Sequence, residues 1–287
     1  MIVDCHAHLL PAWRMAKLIA WTLKFNPGHP VPGNVTIETL LDEYRQAGVE
    51  RIWNFAHAIF PEETESLNEW NHQLARAHPE IVPIGTCHPE TPEPLAVIDR
   101  CFTEYGFTWM KFHPFVQRFT PWQERFFPFW ERIARHGGLV IFHTGFENFY
   151  GGPLPLDGFR PILDAFPGLV VVFAHANYPR VAEALDMVAR YPNVYLDTVH
   201  VFARMTASWA PEHEQRAIWD RLRDGLTAFP DRIMFGTDHP SGTGTLGDMY
   251  RDVRDFGLPP ALEARLLGDN ALGLMQRARG SSPGNPS

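Results

Sequence analysis

Short apolar, β-branched runs alternate with amphipathic stretches along the whole chain, and this alternation restricts the fold more than any other feature. Such a pattern is typical of repeated βα units around a parallel sheet. Eight runs are predicted to be strands: Ile2–Cys5, Arg51–Phe55, Ile81–Thr86, Thr108–Phe112, Leu139–Phe142, Leu169–Ala174, Val194–Asp197 and Ile233–Gly236. Eight units predict an α/β protein with a (β/α)8 TIM barrel. An open doubly wound sheet is the alternative, but no glycine-rich phosphate loop follows the first strand.

The chain is long enough for one barrel to use all of it. Its 287 residues are 45% hydrophobic, and no linker composition divides them. We therefore predict a single barrel domain over residues 1–278. The last residues, 279–287, are rich in Gly, Ser and Pro and are predicted to form a flexible tail.

The charge pattern limits the partners of the protein. The formal net charge is −8, without a basic stripe or a block of like charges, which argues against nucleic acid and anionic membranes. The chain lacks a basic leader and any apolar run that could span a bilayer, and its 3 cysteines are too few for a disulfide framework. We expect a cytoplasmic protein with a small-molecule partner, and a homodimer stays open as its oligomeric state.

The first strand ends in the run Asp4-Cys5-His6-Ala7-His8. Side chains of a strand alternate between its two faces, so His6 and His8 point the same way and are able to reach one metal ion. An isolated His-x-His is weak evidence, because histidines often only hydrogen-bond a neighbour.

Other strands also end in side chains that bind metals or protons. These are Lys111 and His113 after strand four, His143 after strand five, His175 after strand six, and Asp238 and His239 after strand eight. In a barrel the carboxyl ends of the strands meet at one mouth, where active sites form. Imidazole and carboxylate together suit zinc and similar ions, so the sequence predicts a divalent metal site there.

The chain resembles the metal-dependent amidohydrolase superfamily, and within it the amidohydrolase-related branch that includes aminocarboxymuconate semialdehyde decarboxylase and γ-resorcylate decarboxylase. The matching pieces, in order over nearly the whole chain, are Asp4–His8, Met110–Pro114, Phe142–Gly145, Phe173–His175, Phe235–Pro240 and Leu267–Ala271. The resemblance implies that the metal ligands are His6, His8, His143 and Asp238. It also implies that His175 is either a further ligand or the residue that holds the attacking water or the substrate. One ion per chain, most simply zinc, is expected.

Lys111 departs from the pattern of those decarboxylases. In superfamily members with two metals, a carbamylated lysine at the end of strand four bridges the ions, so a carbamylated Lys111 implies two ions. We favour a protonated Lys111 that binds a substrate carboxylate, since an ammonium in a partly buried mouth needs an anion nearby.

Loop residues add further candidates. The segment Leu9–Gly33 is long for a βα loop and is predicted to be a lid or binding loop, in which Arg14 is a candidate to grip a substrate carboxylate, with a solvated arginine as the alternative. His113 is a second predicted substrate-binding residue. His200 and Arg204 are weaker candidates for substrate contact, and His57 receives no role.

Three functions are compatible with these residues. The preferred one is a metal-dependent hydrolase that cleaves an amide, ester or lactone of a small, carboxylate-bearing molecule, with Asp238, His175 and Lys111 as catalytic residues and Asp238 as the proton shuttle. The alternative is a nonoxidative carboxy-lyase on the same ligands. The third is a barrel that binds a small molecule without turnover. It is disfavoured, because a set of metal ligands together with a candidate base at the barrel mouth is the arrangement that catalysis requires. The strand-four pattern and the short chain favour hydrolysis over decarboxylation.

Overall fold

The computed structural model describes residues 1–31, 34–203 and 211–280, with side chains left undescribed at 148, 149 and 278–280. Its parallel strands are β1 (Ile2–Ala7), β2 (Val49–Phe55), β3 (Ile81–Thr86), β4 (Trp109–Phe112), β5 (Leu139–Phe142), β6 (Val170–Phe173), β7 (Val194–Asp197) and β8 (Ile233–Met234). They pair in sequence order. The amide of Cys5 donates to the carbonyl of Phe235 (3.1 Å), which brings β8 beside β1. The predicted (β/α)8 barrel is therefore confirmed, and the doubly wound sheet is excluded.

Helices surround the strands. They are α1 (Ala12–Phe25), α2 (Ile37–Gln46), α3 (Thr64–Ala77), α4 (Pro94–Thr103), α5 (Phe127–Arg135), α6 (Glu147–Tyr150), α7 (Arg160–Ala165), α8 (Val181–Arg190), α9 (Glu212–Ala228), α10 (Leu246–Asp255), α11 (Pro260–Ala264) and α12 (Asn270–Gly280). The predicted tail therefore begins inside α12, and residues 281–287 lie outside the described part. Within that part, no helix is long and apolar enough to cross a membrane.

The inside of the barrel changes from apolar to polar along each strand. Trp53 and Trp109 pack against each other with ring centroids 4.1 Å apart, in one cluster with Leu139 and Ile141. Ala271 and Leu274 of α12 belong to the same cluster. Residues two apart along a strand lie on the same face. Counting in steps of two from these core residues toward the mouth therefore gives the other side chains that point into the barrel. They are His57 after Trp53, Lys111 and His113 after Trp109, and His143 after Ile141.

The loop predicted over Leu9–Gly33 contains α1 instead of an irregular lid. One side of this helix is buried through Met15, Ile19 and Thr22. Another side carries Leu18 and Trp21, which line a cavity at the barrel mouth. Apolar residues on two sides obscure the single apolar stripe by which a surface helix is usually recognised in a sequence.

Candidate metal centre and active site

The end of β1 brings its two histidines to the carboxylate that follows β8. The Nε2 atoms of His6 and His8 lie 3.1 Å and 2.8 Å from Oδ1 of Asp238. Among the described residues, these three form the one group of His, Cys, Asp or Glu side chains close enough together to hold a metal ion. Asp4 fixes this strand end, since its Oδ1 accepts hydrogen bonds from the amides of His6 and Thr237, both at 3.0 Å.

The far side of each imidazole is already hydrogen-bonded. His6 Nδ1 lies 2.8 Å from Oδ2 of Asp197, and His8 Nδ1 lies 2.9 Å from the carbonyl oxygen of Phe55. A proton on Nδ1 leaves the lone pair of Nε2 directed at Asp238, as a metal ligand requires. Burial tends to raise the pKa of Asp197, but the charge and hydrogen bond of His6 lower it to about 2, so this carboxylate is ionised.

The donor set fits a divalent cation. Burial tends to lower the pKa of His6, yet Asp197 outweighs it and raises that pKa, so the local field favours a positive charge at this imidazole. Burial likewise opposes ionisation of Asp238, but His8, His200 and His6 hold its pKa well below the usual value. Two imidazoles and an ionised carboxylate that meet within a few ångströms are ligands that zinc and related ions bind.

His143 and His175 lie next to this group without being part of it. A hydrogen bond of 3.1 Å joins His143 Nδ1 to His175 Nε2, and the ring centroids of His175 and His6 are 5.0 Å apart. Within the described residues, His143 Nε2 and His175 Nδ1 have no hydrogen-bond partner although both are buried. Burial holds both pKa values well below the usual range, so both rings are neutral. Their coordination of a metal stays a prediction.

Strained backbone is found at several of these positions. His175, His200 and Asp238 have φ angles of 60°, 67° and 61°, in the left-handed region that side chains other than glycine rarely adopt. Such strain is characteristic of functional sites, where the surrounding structure holds a side chain in a required direction. At this site it turns the three side chains toward one another, and His200 Nε2 lies 3.2 Å from Asp238 Oδ2.

Lys111 is buried at the floor of the mouth, with only 1% of its surface exposed. Its ammonium nitrogen has no hydrogen-bond partner among the described residues and lies 4.7 Å from the ring centroid of Phe55. Burial lowers its pKa to about 8, although Asp197 and Asp238 act in the opposite direction. The side chain is therefore mainly protonated at neutral pH, and no described carboxylate is in direct contact with it. Both interpretations of Lys111, free ammonium and carbamate, stay predictions.

The structure adds His57 to the site, although the sequence gave it no role. Its ring lies 5.9 Å from that of His8 and 4.8 Å from that of His113, and His113 stacks on His143 at 3.7 Å between ring centroids. Burial keeps the pKa values of His57 and His113 well below the usual range, so both are neutral donors or acceptors. The alternation that places His113 inward after Trp109 also places His57 inward after Trp53, and this signal was available in the sequence.

Asp197 is the second residue that the sequence did not single out. It ends β7 on the inward face, and its Oδ1 also accepts a hydrogen bond of 2.7 Å from the amide of His175. By contrast, His239 is turned out of the pocket, with Nε2 3.0 Å from Glu43 Oε2. Arg204 lies outside the described residues.

A cavity of about 410 Å³ opens above these groups. Arg14 of α1 lines it, and the structure shows this arginine buried rather than solvated. Its guanidinium nitrogens lie 3.4 Å from Glu63 Oε1 and 3.3 Å from the carbonyl oxygen of His57. The predicted site residues at the cavity wall are His6, His8, Arg14, Lys111, His113, His143 and Asp238, whereas His175 lines a smaller neighbouring cavity of about 80 Å³.

The eight-stranded barrel with histidines of β1 facing an aspartate after β8 defines a TIM barrel with a candidate metal site at its mouth. Residues 3–275 match a family model described as amidohydrolase. The chain belongs to this amidohydrolase family, as the sequence resemblance predicted. No curated protein matches the sequence significantly.

Solved structures similar to the chain show the same fold. An uncharacterised TIM-barrel protein from Bordetella bronchiseptica has 22% identity and a TM-score of 0.74, with 97% of this chain and 99% of that chain covered. A candidate 2-pyrone-4,6-dicarboxylic acid hydrolase from Pseudomonas putida has 18% identity and a TM-score of 0.66, with 96% and 97% covered. A manganese-bound 5-carboxyvanillate decarboxylase from Novosphingobium aromaticivorans has 12% identity and a TM-score of 0.68, with 96% of both chains covered. At these identities the similarity shows the fold alone.

Proposed function

We propose that the protein is a metal-dependent hydrolase that cleaves an amide, ester or lactone bond of a small molecule bearing a carboxylate. The observation that supports this most strongly is the position of Lys111. A buried ammonium, which has no hydrogen-bond partner in the part of the chain that the structure describes, lies in the same cavity as the imidazoles of His6 and His8. Burying an unpaired charge is costly, so a site with this arrangement favours an anionic ligand next to the metal centre.

We infer that one zinc ion is held by His6, His8 and Asp238, with His143 and His175 as further ligands or as contacts of water and substrate. Such an ion supplies Lewis-acid activation of water and of a substrate oxygen. Manganese is an alternative to zinc, since one of the structurally similar proteins was solved with manganese bound. Hydrogen bonds that His6 Nδ1 donates to Asp197 and His8 Nδ1 donates to the carbonyl of Phe55 support zinc binding by fixing both rings.

In this proposal Asp238 moves the proton. Its carboxylate is ionised at neutral pH, because the neighbouring histidines hold its pKa well below the usual value. Oδ2 accepts hydrogen bonds from His200 Nε2 at 3.2 Å and from Ser241 Oγ at 3.3 Å, while Oδ1 faces His6 and His8. Asp238 accepts the proton of the attacking water and returns it to the leaving group. Lys111 binds the substrate carboxylate, Arg14 contributes positive charge at the pocket wall, and neutral His57 and His113 offer hydrogen bonds to substrate oxygens.

A nonoxidative carboxy-lyase is the second candidate, and the same Lys111 supports it. A carboxylate bound by this ammonium lies beside the metal-binding group whether it is the anchor of a hydrolysed substrate or the group that leaves as carbon dioxide. Structural relatives of the chain include a decarboxylase and a candidate hydrolase, so the fold is compatible with both reactions.

One experiment separates the two reactions. Zinc-loaded protein is incubated with small lactones, esters and amides in one series and with aromatic and unsaturated carboxylic acids in another, and acid release and carbon dioxide are followed in parallel. We expect acid release that is lost in Asp238→Asn. Stoichiometric carbon dioxide release without hydrolytic turnover, also lost in Asp238→Asn, would replace the hydrolase by the carboxy-lyase. Equilibrium binding of panel compounds without any turnover would contradict both.

The cellular compartment, the partners and the oligomeric state of the protein are proposals as well. We propose a cytoplasmic enzyme that acts on a small molecule and not on nucleic acid or membranes, either as a monomer or as a homodimer. Cys5, Cys87 and Cys101 are all free and buried, which suits a reducing compartment.

A further inference from the structure

Helix α1 covers one side of the substrate cavity with a cationic and apolar face. Arg14, Lys17, Leu18 and Trp21 all line the cavity. Their spacing of three, four and seven residues from Arg14 places them on one face of the helix. The helix therefore contributes to the binding site itself, which its position in a long connection after β1 did not reveal.

The cavity is richer in positive charge than the chain as a whole. The chain carries a net charge of −8, yet its described lining residues include the cations Arg14, Lys17 and Lys111 against the single carboxylate Asp238. Asp238 faces the metal-binding histidines, and Arg14 is near Glu63 behind the cavity wall. Lys17 forms no ion pair among the described residues, and its ammonium lies 5.2 Å from the ring centroid of Trp13. One positive charge at the rim is thus available to a ligand.

The two lysines stand at different depths. Lys111 is buried at the floor, whereas Lys17 is exposed on α1 at the rim. The cavity wall also includes the apolar side chains of Leu10, Leu18, Ile59 and Val116. A ligand that satisfies this lining has an anionic group at each end and an apolar body between them.

We propose that α1 provides a second anion-binding subsite in which Lys17 contacts a second anionic group of the substrate, so that the substrate carries two such groups. This inference rests on the proposed function only in taking the cavity as the substrate site. Lys17 is the residue that determines preference for a doubly charged substrate, and Arg14, held by Glu63 and the carbonyl of His57, adds positive charge beneath it.

The test compares isophthalate with its monomethyl ester, which has the same ring but one charge fewer. Binding to zinc-loaded wild type, Lys17→Gln and Lys24→Gln is measured by isothermal titration calorimetry. Lys24 is a matched control because it is an exposed lysine of the same helix that does not line the cavity. We expect wild type to prefer isophthalate, Lys17→Gln to bind it about three- to fivefold more weakly with little change for the ester, and Lys24→Gln to behave as wild type.

Three results would overturn the subsite: equal affinity of wild type for both compounds, equal effects of Lys17→Gln on both, or no binding of isophthalate at millimolar concentration. The assay measures binding and needs no turnover, so its result is separable from that of the hydrolase. Binding that depends on Lys17 in a protein without hydrolytic activity would contradict the hydrolase alone. Hydrolysis of doubly charged substrates at a rate independent of Lys17 would contradict the subsite alone.

Discussion

Asp197 shows how a side chain outside the cavity controls one inside it. Its carboxylate receives the Nδ1 hydrogen bond of His6 at 2.8 Å and the amide hydrogen bond of His175 at 2.7 Å. It therefore sets both the ring orientation of a proposed metal ligand and the backbone of a second histidine. Loss of such a partner typically weakens metal affinity without removing any ligand.

We predict that Asp197→Asn lowers zinc affinity by about 10- to 100-fold, because an amide neither holds the Nδ1 proton as firmly nor adds negative charge. Competition with a chromophoric chelator measures the change. Asp186→Asn, at an exposed position on α8, serves as the control and should bind zinc as wild type does. Unchanged zinc affinity in Asp197→Asn would show that Asp197 does not position His6.

Lys111 illustrates the conflict between function and stability. Burial lowers its pKa from 10.5 to about 8, so the folded protein disfavours the ammonium that the unfolded chain retains. Below pH 8 the buried positive charge lowers the free energy of unfolding, and this cost decreases as the pH rises from about 8 toward the unfolded value. A binding residue of this kind is stabilised only when its anionic ligand is present.

We predict that Lys111→Met raises the free energy of unfolding at pH 7 by roughly 1–3 kcal/mol while lowering kcat/KM for carboxylate substrates and leaving one metal ion per chain. Chemical denaturation and metal analysis measure the two effects. In wild type, kcat/KM should fall above pH 8 as the ammonium loses its proton, and this fall should be absent in Lys111→Met. Two ions per chain, with activity that depends on bicarbonate during reconstitution, would establish the carbamate instead.

At the scale of elements, the loop after β5 is fixed by a close backbone approach. Gly145 has a φ of 72°, and a Cβ added there would lie 2.5 Å from the carbonyl oxygen of Tyr178 in the turn after β6. The two loops follow His143 and His175 directly, so their packing sets the distance between the two histidines.

We predict that Gly145→Ala lowers the free energy of unfolding by roughly 2 kcal/mol or more, because a side chain is unfavourable at positive φ and has no space beside Tyr178. Gly152→Ala is the matched control, since no atom lies within 4 Å of the added Cβ. Urea denaturation of both variants is the measurement. Equal stability of the two variants would contradict the packing described for this loop.

The elements themselves were largely predictable from the sequence, with one exception. Strands β3, β5 and β7 begin and end at the predicted residues, because each is a clear apolar run between turn signals. Helix α1 was not recognised, because its cavity-facing side carries the apolar Leu18 and Trp21 beside Arg14 and Lys17, so the helix lacks a uniformly polar face. The helix is stabilised by packing against the barrel mouth. Sequence periodicity does not reveal such packing.

At the scale of the whole molecule, barrel closure is the step that creates the site. The amide of Asp238 donates to the carbonyl of His6 at 2.8 Å, so residues separated by almost the whole chain become neighbours. Strand-end placement was enough to predict that His6, His8 and Asp238 meet. The inward position of His57 was also available from the strand alternation. The role of Asp197 was not, because it comes from contacts with His6 and His175 across the barrel rather than from a motif.

We propose that the two β1 histidines and Asp238 form a single metal centre. Elemental analysis of purified wild type and of the double variant His6→Ala, His8→Ala tests it most directly, with circular dichroism to verify that the variant is folded. We predict close to one zinc ion per chain in wild type and none in the folded double variant, since the loss of both β1 histidines leaves too few ligands close together. Full metal content in the folded double variant would show that His6 and His8 do not hold the ion.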